Sequence, residues 1–139
     1  MGAALLHVEP AGDGWAVREV YRTRRLRDQF STPVLYQDHV YGFDESNLVC
    51  LELATGKVRW KERGFEKGSL LVADGRLIIY GANGLLALAD ADPGGYRERG
   101  RGRASRQEAS CWSAPALAAG RLYVRDQEKL TCYDVRKGS

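Results

Sequence analysis

Short apolar runs alternate with polar or glycine-bearing turns along most of the chain. The clearest series starts at Val34–Tyr36, turns at Asp38–His39, and continues through Val40–Tyr41 and Leu48–Leu53. Brief runs rich in Val, Leu, Ile and Tyr, bounded by Gly, Asp or Asn, are typical of antiparallel strands joined by hairpins. No segment carries apolar residues at helical spacing over three turns. The pattern therefore predicts an all-β protein.

The same series of runs and turns occurs three times. Thr32–Leu53, Ser69–Asp90 and Ala114–Val135 superimpose without a gap, at offsets of 37 residues (32 to 69) and 45 residues (69 to 114). The first turn of the second copy falls at Asp74–Gly75, and that of the third copy at Gly120–Arg121. Repeats of this period are typical of stacked arrays of small sheets.

Further strands flank the three copies. Lys57–Lys61 predicts a fourth strand for the first copy. The equivalent stretch of the second copy is Tyr96–Arg99, which is a weaker and more basic strand pattern. Ala3–Glu9 and Gly14–Tyr21 predict the third and fourth strands of a preceding unit. The third copy has no fourth strand in this sequence. Four short strands recurring about every 40 residues indicate β-propeller blades.

The predicted architecture is a partial propeller of about three and a half blades, each a four-stranded antiparallel sheet, in a ring that one chain does not close. The predicted divisions are the end of a preceding blade (1–29), a blade (30–66), a blade with a basic loop (67–110) and an incomplete last blade (111–139). A blade needs a neighbour on each side to bury both of its faces.

One segment resembles a family motif. Cys50–Trp60, CLELATGKVRW, is similar to the tryptophan-docking motif A-x-D-x-x-T-G-K-x-x-W of the quinoprotein-like (PQQ-binding-like) β-propeller repeats. The resemblance implies a C-terminal portion of a longer propeller, similar to the propeller lipoprotein of the outer-membrane β-barrel assembly machinery. It also implies the bacterial periplasm or cell envelope, although Met1–Leu6 does not read as an export signal.

The motif also has a direct physical interpretation. Gly56 can adopt the positive φ of a tight turn between the third and fourth strands. Trp60 then brings a large apolar surface to the outer edge of its blade, where it can pack against the next blade. We therefore expect a structural role for Trp60 and no direct part in ligand binding.

Composition and charge narrow the class of protein. The chain has 139 residues, of which 44% are hydrophobic and 28% charged, as in soluble globular proteins. Its formal net charge of +3 is too small to imply a polyanionic partner by itself. No apolar run is long enough to predict a membrane span.

Few residues offer catalytic or metal-binding chemistry. The three cysteines lack disulfide-framework or zinc-site spacing, and the apolar surroundings of Cys50 and Cys132 predict buried thiols. His7 lies in a predicted strand and His39 in a predicted turn. The calcium, quinone and aspartate base of the family's dehydrogenases cannot be matched residue by residue here. The sequence predicts no enzyme and no catalytic, cofactor-binding or metal-binding residues.

Two glycine-bearing stretches admit a functional interpretation. Gly81–Gly84 is glycine-rich like a phosphate loop, but it aligns with a hairpin turn, which is the favoured interpretation. Arg97–Arg106 is basic and lies in the longest connection between copies. A solvated surface loop is favoured for it over an arm that contacts nucleic acid or an acidic partner.

Three functions follow. The favoured one is a non-catalytic propeller segment that acts as a scaffold or protein-interaction module. It would bind a protein partner, or self-associate as a homo-oligomer, through exposed blade faces. The alternatives are a truncated quinoprotein dehydrogenase-like domain without its active site, and nucleic-acid or acidic-partner binding through the arginine-rich loop.

Overall fold

The computed structural model describes residues 1–28, 30–106 and 110–137. Within these ranges the chain forms thirteen strands and no helix, so no described helix could cross a membrane. The strands are β1 (Ala3–Ala11), β2 (Gly14–Thr23), β3 (Val34–Tyr36), β4 (His39–Asp44), β5 (Asn47–Glu52), β6 (Val58–Glu62), β7 (Gly68–Ala73), β8 (Arg76–Gly81), β9 (Leu85–Asp90), β10 (Glu98–Arg103), β11 (Ala116–Ala118), β12 (Arg121–Arg125) and β13 (Leu130–Asp134).

Strands that follow one another in sequence pair antiparallel in four separate sheets. We call them the N-terminal hairpin (β1–β2), the first blade (β3–β6), the second blade (β7–β10) and the third blade (β11–β13). The first and second blades each have four strands, and the third has three among the described residues. The prediction of an all-β, partial and unclosed array of propeller blades is confirmed.

Each blade opens with the same two-residue turn. Gln37–Asp38, Asp74–Gly75 and Ala119–Gly120 all have positive φ at both positions, from 46° to 72°, as in a type I′ hairpin turn. The predicted first and third turns were therefore one residue too late, because His39 and Arg121 already begin strands. Gln37 and Ala119 are not typical turn residues, and the twist of the two flanking strands imposes this conformation on them.

The blades pack face to face through two apolar clusters. Between the first and second blades lie the buried side chains of Tyr41, Phe43, Leu48, Cys50, Phe65, Leu70, Leu77, Ile79, Ala87 and Ala89. The cluster between the second and third blades is smaller, with Tyr80, Ala104, Cys111, Leu122 and Val124 buried. The alternation of side chains along each strand sends every second residue to one of the two neighbours.

The second copy does not align with the first without a gap, so the gap-free alignment of these two copies was wrong. The turn between β4 and β5 is Glu45–Ser46, whereas that between β8 and β9 is Ala82–Gly84, one residue longer. Phe43 pairs with Leu48 in the first blade, and Tyr80 pairs with Leu86 in the second. Leu48 therefore corresponds to Leu86, whereas the gap-free alignment matched it to Leu85.

The arginine-rich stretch is in large part a strand. Glu98–Arg103 forms β10 on the open edge of β9, where the sequence predicted a surface loop and a fourth strand at Tyr96–Arg99. The free N–H and C=O groups of β9 are satisfied by this pairing, and an edge strand tolerates charged side chains on both faces. All residues of β10 are exposed, as expected for the loop.

Cys132 is exposed, so the prediction that it is buried was wrong. Cys132 pairs with Tyr123 on the face of the third blade that points away from the second. Neither apolar cluster of the described residues includes a side chain of that face. Cys50 has the same place in the first blade, and it is buried because the second blade covers it.

Candidate interaction surfaces

Trp60 joins the first blade to the second. It lies on β6 beside Cys50, and its indole Nε1 donates a hydrogen bond of 2.7 Å to the backbone oxygen of Asp92. Its ring centroid lies 5.9 Å from that of Tyr41 and 5.8 Å from that of Tyr96. Aromatic contacts at these separations add to the stabilisation from buried area. These contacts agree with the structural role predicted for Trp60. The φ of Gly56 is 70°, which agrees with the tight turn predicted there.

Gly100 occupies the position in the second blade that Trp60 occupies in the first. Trp60 pairs with Cys50 directly after a bulge at Arg59, and Gly100 pairs with Leu88 directly after a bulge at Arg99. A bulge is a local irregularity, so its recurrence at one place supports this correspondence. A Cβ atom built on Gly100 would meet no atom within 4 Å. The outer edge between the second and third blades therefore lacks the side chain that fills the preceding interface.

A groove of about 370 Å³ lies where that side chain is missing. Its apolar walls come from both neighbouring blades, and its polar rim carries Asp74, Arg76 and Arg101. The large apolar residues that line it are Ile78, Leu86 and Leu88 of the second blade, Leu117 and Leu122 of the third blade, and Val135 after β13. This groove was not predicted from the sequence, because glycine is seen to replace tryptophan only when the strands of the two blades are aligned in their true register.

The arginines of the second blade's edge are held by carboxylates. Arg99 donates to both oxygens of Asp90, at 2.7 to 3.1 Å, and Arg76 lies 3.3 Å from the same carboxylate. The hydrogen bonds from Arg99 lower the pKa of the Asp90 carboxyl. Arg101 donates to Glu98 and lies over the ring of Phe65, 5.2 Å from its centroid. The guanidinium groups are thus ordered along the strand, and their charge is partly neutralised.

The N-terminal hairpin exposes a continuous apolar face. Val8 pairs with Val17 and Pro10 with Trp15, so these side chains share one side of the hairpin. The exposed fractions are 53% for Val8, 62% for Val17 and 70% for Trp15. A row of exposed large apolar side chains on one face is a feature of interaction surfaces.

The hairpin contacts the first blade near its base. The hydroxyl of Tyr21 donates a hydrogen bond of 2.8 Å to the backbone oxygen of Leu53. A Cβ atom at Gly56 would come within 2.7 Å of the Tyr21 ring, which shows how closely the two segments approach. The chain then continues past Leu26 and Pro33, whose side chains lie against Gly42 of β4. These contacts leave the far end of the hairpin free of the first blade.

Comparison with known proteins agrees with this geometry. Residues 15–94 match the family model described as outer membrane protein assembly factor BamB. The chain belongs to the BamB family of PQQ-like propeller repeats. The match covers the second hairpin strand, the whole first blade and the first three strands of the second blade. No curated protein matches the chain.

Solved propellers share the fold at low sequence identity. BamB from Moraxella catarrhalis superimposes with a TM-score of 0.68 and 17% identity, over 87% of this chain and 38% of that one. The Cps50 (Swd1) β-propeller domain of Myceliophteria thermophila superimposes with a TM-score of 0.67 and 11% identity, over 96% of this chain and 50% of that one. A europium-containing methanol dehydrogenase superimposes with a TM-score of 0.61 and 14% identity, over 74% of this chain and 22% of that one. The chain thus spans at most half the length of these three structures.

The histidines and cysteines of this BamB-family chain do not form a catalytic or metal-binding cluster in the described residues. The described residues contain no group of three His, Cys, Asp or Glu side chains placed to hold a metal ion. His7 contacts Glu9 on the exposed hairpin, and His39 contacts the backbone oxygen of Gln37. Burial raises the pKa of the Cys50 thiol to about 11, so this thiol stays protonated at neutral pH. These groups do not converge on a common site.

Proposed function

We propose that this chain is a non-catalytic propeller segment that binds proteins through exposed blade faces. The observation that carries the proposal is the apolar face of the N-terminal hairpin, with Trp15 70% exposed and Val17 62% exposed. Burial of such side chains against a partner is worth about 1.5–3 kcal/mol each for a complete transfer from water. Membership of the BamB family supports the same proposal, since its description is that of an assembly factor.

The third blade offers a second face at the other end of the array. Tyr123, Arg125, Leu130 and Cys132 share this face, and Leu130 is 67% exposed. It is more polar than the hairpin face, because Arg125 stands where the first blade has Phe43. In the proposed organisation, 1–29 is the end of a preceding blade and 111–139 is an incomplete last blade. Both faces then lie where a partner protein or a second copy completes the packing.

Site-specific photo-crosslinking in the native host tests the proposal. A photoreactive residue is placed at Val17 on the hairpin face or at Leu130 on the third-blade face, with the exposed Glu66 as a matched control. We expect discrete protein adducts from positions 17 and 130 and none from position 66. The absence of adducts from both faces would contradict the proposed function.

A titration separates this function from a quinone-dependent one. The purified chain is titrated with pyrroloquinoline quinone in the presence of Ca²⁺, and the visible absorbance of the quinone is followed. We expect no saturable spectral change, because the described residues contain no group of three His, Cys, Asp or Glu side chains placed to hold a metal ion such as Ca²⁺. A stoichiometric change would favour the dehydrogenase-like alternative.

A further inference from the structure

We infer that the groove at Gly100 binds a tryptophan side chain carried by an acidic, extended segment of a partner protein. This inference rests on the proposed function and names one binding site for it. The structure contains the template for the occupant, because the same position one blade earlier is filled by Trp60. The groove is the corresponding space with the indole removed.

The walls of the two sites correspond residue by residue. Tyr41 and Cys50 line the Trp60 site from its own blade, and their counterparts in the groove are Ile78 and Leu88, which pair with each other in the same way. The substitution of Tyr by Ile and of Cys by Leu keeps the wall apolar. An indole inserted here would therefore meet the same kind of surface that Trp60 meets.

The opposite wall also keeps the hydrogen-bond acceptor. In the second blade the amide of Ala91 donates to the oxygen of Gly75, and in the third blade the amide of Val135 donates to the oxygen of Gly120, both at 2.9 Å. Ala91 therefore corresponds to Val135, and Asp92 to Arg136. The carbonyl oxygen of Asp92 accepts the Trp60 N–H, so the carbonyl of Arg136 is the matching acceptor for an indole in the groove.

The size of the groove selects one large side chain. Pockets for drug-sized ligands range from about 300 to 1,000 Å³, and the groove, at about 370 Å³, lies at the low end. A tryptophan or tyrosine buries about 150–250 Å² and commonly keeps its polar atom hydrogen-bonded. An indole with its N–H directed at a backbone carbonyl suits this space better than an aliphatic side chain does.

The rim and the neighbouring strand define the rest of the partner. Arg76 lines the groove with its side chain 44% exposed, and Arg97 beside it is 64% exposed. The stretch 97–106 carries five arginines and one glutamate. Carboxylates that flank the tryptophan would complement this charge.

The edge of β10 supplies a template for an extended partner. β10 pairs with β9 and with no other described strand, so its outer N–H and C=O groups are available for strand addition. Side chains of an added strand alternate between the two faces of the sheet. Alternate residues would therefore point to the face that carries Gly100 and Gly102, at which a Cβ atom meets no atom within 4 Å.

A defined peptide tests the inference. The probe is a pentapeptide labelled at its N-terminus, carboxyfluorescein-Glu-Thr-Trp-Thr-Glu-amide, titrated against the chain by fluorescence anisotropy. Gly100→Trp fills the groove from within, and Gly95→Trp adds the same side chain at a glycine with equal space that does not line the groove. We expect saturable binding that is weakened about tenfold or more by Gly100→Trp and unchanged by Gly95→Trp, as for loss of an aromatic anchor.

Two further measurements keep the result interpretable. Gly100→Trp should also raise the thermal midpoint relative to Gly95→Trp, because its indole restores the packing of the preceding interface. If Gly100→Trp does not fold, as judged by circular dichroism, Gly102→Leu takes its place, and we expect the same loss of peptide binding. A probe with alanine in place of tryptophan should bind about tenfold more weakly to the unsubstituted chain.

Three outcomes would overturn the inference. The first is that the probe shows no saturable binding to the chain. The second is that Gly100→Trp and Gly95→Trp bind the probe equally well. The third is that a single-stranded oligonucleotide binds the chain and displaces the peptide. Crosslinks from positions 17 and 130 do not involve the groove. Their persistence without peptide binding overturns this inference alone, whereas their absence overturns the proposed function.

Discussion

The indole nitrogen of Trp60 lies 2.7 Å from the carbonyl oxygen of Asp92, and this hydrogen bond crosses from the first blade to the second. It anchors a side chain that also contacts Tyr41 on its own sheet and Tyr96 on the neighbouring blade's connection. One residue thus stabilises both the packing and the relative position of two sheets.

Truncation of Trp60 should weaken the interface between the first two blades. We expect Trp60→Ala to lower the free energy of unfolding by about 3 kcal/mol, through lost burial and a residual cavity. Trp60→Phe should lose about 1 kcal/mol, chiefly through the hydrogen bond to Asp92. Urea unfolding followed by circular dichroism measures both. Trp15→Ala, at a side chain 70% exposed, is the control and should change stability by less than about 0.5 kcal/mol.

The ion pair between Arg27 and Asp44 should make stability depend on pH below about 4. Asp44 is 1% exposed, and its Oδ1 lies 3.0 Å from Arg27 Nε. Burial raises the pKa of the Asp44 carboxyl, but the hydrogen bonds and charge of Arg27, with the charge of Arg25, outweigh it and hold the pKa below its ordinary value. The lowered pKa stabilises the fold above the unfolded-state value of about 3.9. This contribution is lost as the pH falls through the folded value.

Arg27→Met tests that linkage. At pH 7 we expect a loss of about 2 kcal/mol, because a buried carboxylate loses its charged donor. At pH 3 the difference from the unsubstituted chain should shrink, since protonation removes the charge that needs a partner. Arg22→Met removes the exposed pair with Glu19 and should have little effect at either pH. If Arg27→Met lowers the free energy of unfolding equally at pH 7 and pH 3, the proposed linkage to the charge of Asp44 is wrong.

The three thiols should differ sharply in reactivity. Cys132 is exposed, whereas Cys50 is buried with its pKa raised to about 11, and Cys111 is buried with its sulfur accepting a hydrogen bond from Tyr80. Because the thiolate is the reactive form and must be reached by the reagent, we expect one fast thiol in native protein. Maleimide labelling with peptide mapping identifies it. Cys132→Ser should remove the fast phase, and a fast phase that survives would show that another thiol is accessible.

Gly84 should tolerate a side chain far less well than Gly12. Both have positive φ, 80° and 58°, so alanine is strained by about 1–2 kcal/mol at either position. A Cβ atom at Gly84 would also lie 2.5 Å from the backbone oxygen of Ser105, whereas one at Gly12 meets nothing within 4 Å. We expect Gly84→Ala to lose at least about 1 kcal/mol more than Gly12→Ala in thermal or urea unfolding. Equal losses would mean that the Ser105 backbone moves away without resistance.

The sequence pattern predicted those elements whose cause is local. The short apolar runs, the turn at Gly56 and the placement of Trp60 all follow from residues close together in the chain. Each could be predicted because strands contain short apolar runs and tight turns contain glycine or other turn residues, and both are visible in the sequence. The family resemblance then rested on the same residues, and the match over residues 15–94 confirms it.

Features with a distant cause were missed or misplaced. β10 exists because the edge of β9 lies beside it and Asp90 and Glu98 hold its arginines. The exposure of Cys132 depends on what packs on the outer face of its blade, which the residues around it do not encode. The correspondence of Gly100 with Trp60 depends on one extra residue in the turn before β9 and two more in the connection between β9 and β10, which a gap-free alignment does not allow.

The order of pairing, in which each strand contacts the one made just before it, has a consequence for biosynthesis. Every ladder in the described residues closes between consecutive strands, so no sheet waits for a segment far along the chain. Local closure of this kind lowers the entropic barrier that slows most β proteins. As the chain leaves the ribosome, the first blade can form while the second is still being translated. Each later sheet then folds against a surface that is already in place.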